Sequence, residues 1–334
     1  MRLGLAVPLE AIGLRASLDL AREAEALGYD DVWSSEVAGP DGFTPLAALA
    51  ATTSRVRLGL ALAPAFTRPP ALLAMSAASL QVVSDGRFVL GLGASSPAIV
   101  GRWMGARYVK PRTRVKETVE ALRLALSGEK VDYAGATLDV HDFRLALGAT
   151  WVPIYIGALG PKMFELAGAV GDGVLISLGA AHAVPKLLAS FRQGAAGAGR
   201  DPGELDVWCR VLVAADEDGP ELEQMLRRFL VGYGTVPAYN AHLANQGYER
   251  EAAAMAQAWA ERRRADAVAA VSDGLLRGLV AYGSAERCVE QLRAYRDAGV
   301  KTLVVDPVSA APDPAERHRR VRRTVHIVQE GLAQ

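Results

Sequence analysis

From Leu3 to Asp306 the chain alternates short apolar runs with stretches of helical spacing, and eight of the runs read as strands. They cover Leu3 to Leu9, Asp31 to Ser35, Arg57 to Ala63, Arg87 to Gly93, Val152 to Gly157, Gly173 to Ser177, Asp206 to Ala214 and Thr302 to Asp306. Near-continuous apolar strands suit a parallel sheet buried on both faces, whereas half-solvated antiparallel strands alternate apolar with polar residues. The helical patterns between them include Ser17 to Leu27, closed by Gly28, then Pro70 to Ser84, Val115 to Leu126, Val184 to Gly197 and Ser284 to Ala298. Two segments interrupt the alternation: residues 131 to 147 read as a small hairpin, and Asp216 to Val280 reads as several helices with no strand. Eight such units specify an α/β fold, a TIM (β/α)8 barrel with a helical insertion before the eighth strand, about residues 216 to 282, in one domain over 1–334. Function in such a barrel gathers where the strands end.

Charge and cysteine content narrow the range of partners. The 37 basic residues balance 37 acidic ones, so no global field favours nucleic acid or an anionic membrane. Cys209 and Cys288 form no disulfide framework, no apolar run approaches the length that spans a bilayer, and a cytoplasmic setting is expected. The five histidines show no metal spacing with cysteine or carboxylate, and neither a Gly-x-Ser-x-Gly elbow nor a Walker-type loop occurs. Arg262 to Arg264 and the arginines between 319 and 323 lie among acidic residues and read as solvated helix faces.

The segment from Val152 to Ile176 reads as strand, glycine-bracketed turn, helix and second strand. Gly157, Gly160 and Pro161 break the first strand, and Pro161 falls in the first helical turn, where its missing N–H costs little. A helix start after small residues presents free backbone N–H groups to an anion, and Lys162 stands beside it. The same residues also suit a plain strand-to-helix turn.

With the strand ends placed, the chain resembles the luciferase-like monooxygenase superfamily and, within it, the oxidoreductases that use the deazaflavin coenzyme F420. The resemblance rests on Leu27-Gly-Tyr-Asp-Asp-Val-Trp33 leading into Glu36, on Val56-Arg-Leu-Gly59 followed by Thr67-Arg-Pro-Pro70, on Asp85 to Gly93, and on Pro153 to Val174. It implies a flavin or deazaflavin in the barrel mouth, its phosphate side held by the backbone of Gly157, Ala158, Leu159 and Gly160 and by Pro161, with Lys162 a charged partner. It also implies a bulge with a non-proline cis peptide at Ala61-Leu62, with Ala63 next, pressed against the cofactor's middle ring. Where many such enzymes carry Asp-His after the second strand, this chain has Glu36 and Val37, so Glu36 takes the acidic place as a cofactor contact and candidate catalytic acid. Ser177 is a further candidate contact, and Arg107, Lys110 and Arg112 are candidate partners of the coenzyme's anionic tail.

The resemblance implies an oxidoreductase that moves a hydride between coenzyme F420 and a small organic substrate. FMN would use the same turn, which leaves an FMNH2-dependent monooxygenase as the alternative, and a catalytically degenerate flavin-binding barrel as a third reading given Val37. The insertion is expected to line the substrate pocket with Phe229, Tyr233, Val236, Tyr239 and Tyr248. A homo-oligomer is compatible with the sequence.

Overall fold

The computed structural model describes residues 1–333. Its strands are β1 (Arg2–Val7), β2 (Asp31–Ser34), β3 (Arg57–Pro64), β4 (Phe88–Gly93), β5 (Val131–Ala134), β6 (Asp139–Phe143), β7 (Ile154–Gly157), β8 (Gly173–Ser177), β9 (Asp206–Ala215), β10 (Val280–Gly283) and β11 (Thr302–Pro307). Eight of them, β1, β2, β3, β4, β7, β8, β9 and β11, pair in parallel and in that order, and β11 returns to β1 to close the barrel. The strands β5 and β6 form the expected antiparallel hairpin outside it.

Strand β10 corrects the expectation of an insertion without strands. It adds in parallel to the far half of β9, Val280 beside Leu212 and Gly283 beside Ala215. The edge it covers is the one β8 leaves open, since β8 pairs with β9 only as far as Arg210. A strand of four residues carries too little pattern to stand out beside the helix Asp273–Leu279 that runs directly into it.

Side chains along each strand alternate between the helical shell and the barrel interior. Outward residues such as Leu5, Leu58, Leu90, Ile156, Val174, Val211 and Leu303 are fully or almost fully buried against the helices. Inward residues stack in layers. Trp33, Val89, Tyr155, Leu175, Trp208 and Val304 form the apolar middle of the barrel. Beneath it, toward the strand N-termini, Arg57 donates to Asp31, Tyr155, Asp206 and Thr302, and Arg2 donates to Asp31 from the side. Burial pushes the Asp31 carboxyl upward, against the pull of the adjacent Arg57 and Arg2 charges. Above the middle layer lie Ala61, Leu62, Ser177, Arg210 and Asp306, at the strand C-termini.

The insertion packs as its own apolar cluster over this C-terminal end, built on Leu222, Leu226, Leu230, Leu243, Met255 and Leu276. Its side chains bind barrel loops directly. Gln246 accepts from the Ala180 amide at 2.7 Å and donates to the Leu178 carbonyl at 2.9 Å, both in the loop after β8.

Candidate cofactor and substrate site

The turn after β7 is short because Pro161 starts the helix Pro161–Val170 four residues past the end of the strand. Gly160 is its N-cap in extended backbone, and its carbonyl accepts from the amides of Met163 at 2.9 Å and Phe164 at 3.1 Å. The amides of Leu159, Gly160 and Lys162 make no backbone hydrogen bond among the described residues. A Cβ placed on Gly160 would meet nothing within 4 Å, so open space lies beside those donors. Three N–H groups without a backbone partner at the positive end of a helix, with open space beside Gly160, fit a phosphate.

The other residues expected at this turn divide. The Ala158 amide is occupied by the Leu175 carbonyl at 3.2 Å and its side chain is buried, so Ala158 offers no backbone donor. Pro161 has no N–H to give. Gly157 faces the barrel interior, where a Cβ would lie 2.3 Å from Cδ2 of Leu62. Its glycine identity answers to that side chain. Lys162 is exposed on the first helical turn and makes no ion pair among the described residues. Arg112 reaches the same helix, 3.9 Å from Glu165, while Arg107 and Lys110 lie exposed in the loop after β4.

Strand β3 carries the bulge. Its register against β4 shifts between Leu60 and Ala63, and the Ala61–Leu62 peptide is cis. Both Ala61 and Leu62 then face inward on the apolar middle layer, while Ala63 turns out into the helical shell. The Leu62 side chain lies over Gly93 and Gly157, on neighbouring strands, because neither has a Cβ to displace it. Leu62 and Ala61 thus form a flat apolar floor at the mouth, of the kind a planar ring covers.

Glu36, past the end of β2, is committed to Arg68. Arg68 Nε donates to both carboxylate oxygens at 2.9 and 3.1 Å, its Nη2 adds a 2.7 Å bond, and the Gly42 amide supplies a fourth at 3.0 Å. This hydrogen bonding holds the Arg68 guanidinium above its ordinary value. Arg68 also stacks over Phe43, 4.8 Å from the ring centroid. Two of the sequence patterns quoted above, the one leading into Glu36 and Thr67 to Pro70, therefore meet here as one ion pair.

Sequence reasoning missed three groups. Arg210 and Asp306 point up into the mouth from β9 and β11, with Nη1 and Oδ2 3.7 Å apart, and Arg210 Nη2 stands 3.5 Å from Ser177 Oγ. A charge within each apolar strand run was the available signal. The third is His242, on the helix Pro237–Ala244 of the insertion, whose Nδ1 lies 2.8 Å from the carbonyl of Leu159 in the turn itself. The imidazole is buried, and burial holds its pKa below the ordinary value; since a carbonyl can only accept, Nδ1 donates. Tyr233 and Tyr239 approach Arg210 from the insertion. Tyr248 does not: its ring packs edge-on to His182, with its hydroxyl over Gly278.

A cleft at the opposite end of the barrel is lined by Arg2, Asp30, Arg57, Tyr155 and Asp206. The Arg57 donors there are matched to acceptors within the protein, so that layer reads as structure. Among the described residues no group of three or more histidine, cysteine or acidic side chains could hold a metal.

A closed parallel barrel with a free-amide helix start, an apolar floor and unsatisfied polar groups, all at the C-terminal mouth, defines an enzyme of the cofactor-binding barrel class. Residues 1–302 match the luciferase-like monooxygenase family, and the chain belongs to that family. It is 32% identical to a 5,10-methylenetetrahydromethanopterin reductase of Methanolobus tindarius, over 85% of this chain and 87% of that one. It is 30% identical to an F420-dependent glucose-6-phosphate dehydrogenase of Nocardia farcinica, over 91% of each chain. The solved coenzyme F420-dependent tetrahydromethanopterin reductase of Methanopyrus kandleri superposes with a TM-score of 0.79 at 22% identity, covering 98% of this chain and 97% of that one, which shows the shared fold.

Proposed function

We propose that the protein is a coenzyme F420-dependent oxidoreductase that moves a hydride between the deazaflavin and a small organic substrate. The turn after β7, where the Leu159, Gly160 and Lys162 amides have no backbone partner among the described residues at a helix start beside open space, supports a phosphate-bearing cofactor, and the choice of F420 over FMN rests on the relatives. Relatives named for F420 match along nearly the whole chain. When bound, the coenzyme supplies the hydride chemistry, and the protein supplies orientation and a shaped, partly dry pocket. Leu159, Gly160 and Lys162 would hold the phosphate, Ala61 and Leu62 would support the ring, and Ser177 would contact it from β8. Glu36 accepts four hydrogen bonds, so its role is to hold Arg68 and the rim of the mouth rather than to release a proton. Barrel and insertion act as one domain, a reading supported by the Gln246 and His242 bonds that tie the insertion to two barrel loops.

A cytoplasmic setting is supported by two free buried cysteines, whose thiols burial pushes up to about 12 at Cys209 and about 11 at Cys288. No helix among the described residues is long and apolar enough to cross a membrane.

The test is a parallel titration of the protein with F420 and with FMN, oxidised and reduced, beside the Gly160→Val variant. Selective F420 binding that Gly160→Val weakens at unchanged thermal stability is the expected result. Preference for reduced FMN would move the protein to the monooxygenases, and binding of neither would leave a degenerate barrel.

A further inference from the structure

The barrel holds two arginine–aspartate clusters, one below and one above its apolar middle layer, and they differ in saturation. In the lower cluster Arg57 is fully engaged by Asp31, Tyr155, Asp206 and Thr302. In the upper one Arg210 sits on β9 beside Ser177 of β8 and Val304 of β11, and Asp306 lies two residues beyond Val304 on the same face. The 3.7 Å between Nη1 and Oδ2 is too long for a hydrogen bond. Apart from the ion pair with Asp306, the marginal 3.5 Å approach to Ser177 and the neighbouring Tyr233 hydroxyl, the five-donor fork of Arg210 has no protein partner among the described residues. The Asp306 carboxylate accepts no hydrogen bond among them.

Both side chains are one-fifth exposed, 20% each, and Trp33, Leu175, Trp208 and Val304 seal them from below, so the opening faces the mouth. The insertion brings an aromatic wall to the same place. Tyr233 and Tyr239 meet edge to face at 4.9 Å, and Phe229 lies 5.0 Å from Tyr233. Charge then selects among ligands. The pair is neutral as a unit, and Glu10 adds negative charge on the Asp306 side. An anion drawn to Arg210 would be repelled by both carboxylates, whereas a neutral oxygen meets a donor and an acceptor without that repulsion.

We infer that Arg210 and Asp306 are the polar anchor for a compact, neutral organic molecule bearing a hydroxyl or carbonyl oxygen, with Phe229, Tyr233 and Tyr239 against its apolar part. Arg210 donates to the oxygen, and Asp306 accepts from a hydroxyl when there is one. Calling this molecule the substrate rests on the oxidoreductase reading, but its binding does not depend on that reading.

Cyclohexanol, cyclohexanone and cyclohexanecarboxylate share one apolar body and differ only in the group offered to the anchor. Their affinities for the wild type, Arg210→Met and Asp306→Asn are read by ligand-observed NMR with and without F420, while circular dichroism and an F420 titration check each variant. The alcohol and the ketone should bind at least ~10-fold better than the carboxylate, a step the size one hydrogen bond to a charged group contributes. Arg210→Met should weaken both by ~10-fold, whereas Asp306→Asn should weaken the alcohol more than the ketone, and F420 affinity should stay within about 2-fold of the wild type in both variants. Equal or tighter carboxylate binding, binding of none of the three, or folded variants that hold the alcohol and ketone as the wild type does would each overturn the inference. Failure of the wild type to bind F420 while the ring series behaves as expected would instead remove the cofactor assignment and leave the anchor standing.

Discussion

Leu62 lies in the space that a side chain on Gly157 would need, and Gly157→Ala turns that fact into a measurement. The new Cβ would stand 2.3 Å from Leu62 Cδ2, whereas non-bonded carbons settle at about 3.5–4.0 Å, so the methyl group must retreat by roughly 1 Å or more. Toward β4 the side chain already fills the space where Gly93 lacks a Cβ, so little room remains on that side. What remains is rotation upward into the mouth. Leu62 is only half-buried there, and an off-rotamer turn costs about 0.5–1.5 kcal/mol, so with residual overpacking the loss of stability is about 1–2 kcal/mol. For a chain of this length that is a fall in Tm of about 1.5–3 °C.

The displaced side chain would stand where the apolar floor should be flat. Cofactor affinity is therefore expected to fall more than stability does, by ~10-fold or beyond, a step of about 1.4 kcal/mol. Thermal denaturation and F420 titration of Gly157→Ala, Leu62→Ala and the double variant complete the cycle. A coupling of about 1 kcal/mol in stability, with affinity partly restored in the double variant, is the expected result. If Gly157→Ala bound F420 as the wild type does, or if Leu62→Ala left its penalty untouched, Leu62 would not be the reason for a glycine at 157.

Other substitutions probe the remaining layers. Gly91→Ala would place a Cβ 2.0 Å from the backbone oxygen of Leu60, which cannot rotate away, so a loss of about 3 kcal/mol or more is expected, and a wild-type denaturation midpoint would refute it. Arg57→Met leaves Asp31 without its main counter-charge in a fully buried site and should cost about 3–5 kcal/mol at neutral pH. Because burial already raises the Asp31 carboxyl, the loss should shrink as pH falls and that group takes up its proton, which denaturant melts at two pH values would show. His242 has a folded pKa below the ordinary 6.5, so its contribution to stability is complete above 6.5 and declines as pH falls below it, where the unfolded state binds the extra proton. His242→Gln should flatten that slope, and an unchanged stability–pH curve would place the acid sensitivity elsewhere.

What could be read ahead of the structure followed from local physics. Eight barrel strands were legible because each is buried on both faces and so is apolar along its length. Val280–Gly283 was not, since its strand character comes from the free edge of β9, about 70 residues away in sequence. The phosphate turn was legible as glycines before a proline-started helix, but the division of its amides was not, because the carbonyl that occupies the Ala158 amide belongs to the next strand. Glu36 and Arg68 lay in recognised motifs, yet nothing local says that residues 32 apart form one bidentate pair. Arg210 and Asp306 were present as charges set in otherwise apolar runs, a pattern that marks an inward-facing polar group once the barrel is assumed.

Burial alone does not separate structure from site in this barrel. Asp31 and Asp306 each face an arginine on a neighbouring barrel strand, and burial raises both carboxyls. They differ in what is left over. Asp31 accepts four hydrogen bonds, and its partner Arg57 is held by three further side chains, so nothing there awaits a ligand. Asp306 accepts none among the described residues, and Arg210 keeps most of its donors. Both upper side chains are one-fifth exposed, so solvent can occupy the bonding positions the protein leaves open, and a ligand oxygen can take the same positions. The same reasoning sets the Leu159, Gly160 and Lys162 amides apart from that of Ala158. The open Arg210–Asp306 pair and the free amides of the β7 turn lie together on the C-terminal side of Leu62 and Trp208, which is where this barrel would receive its ligands.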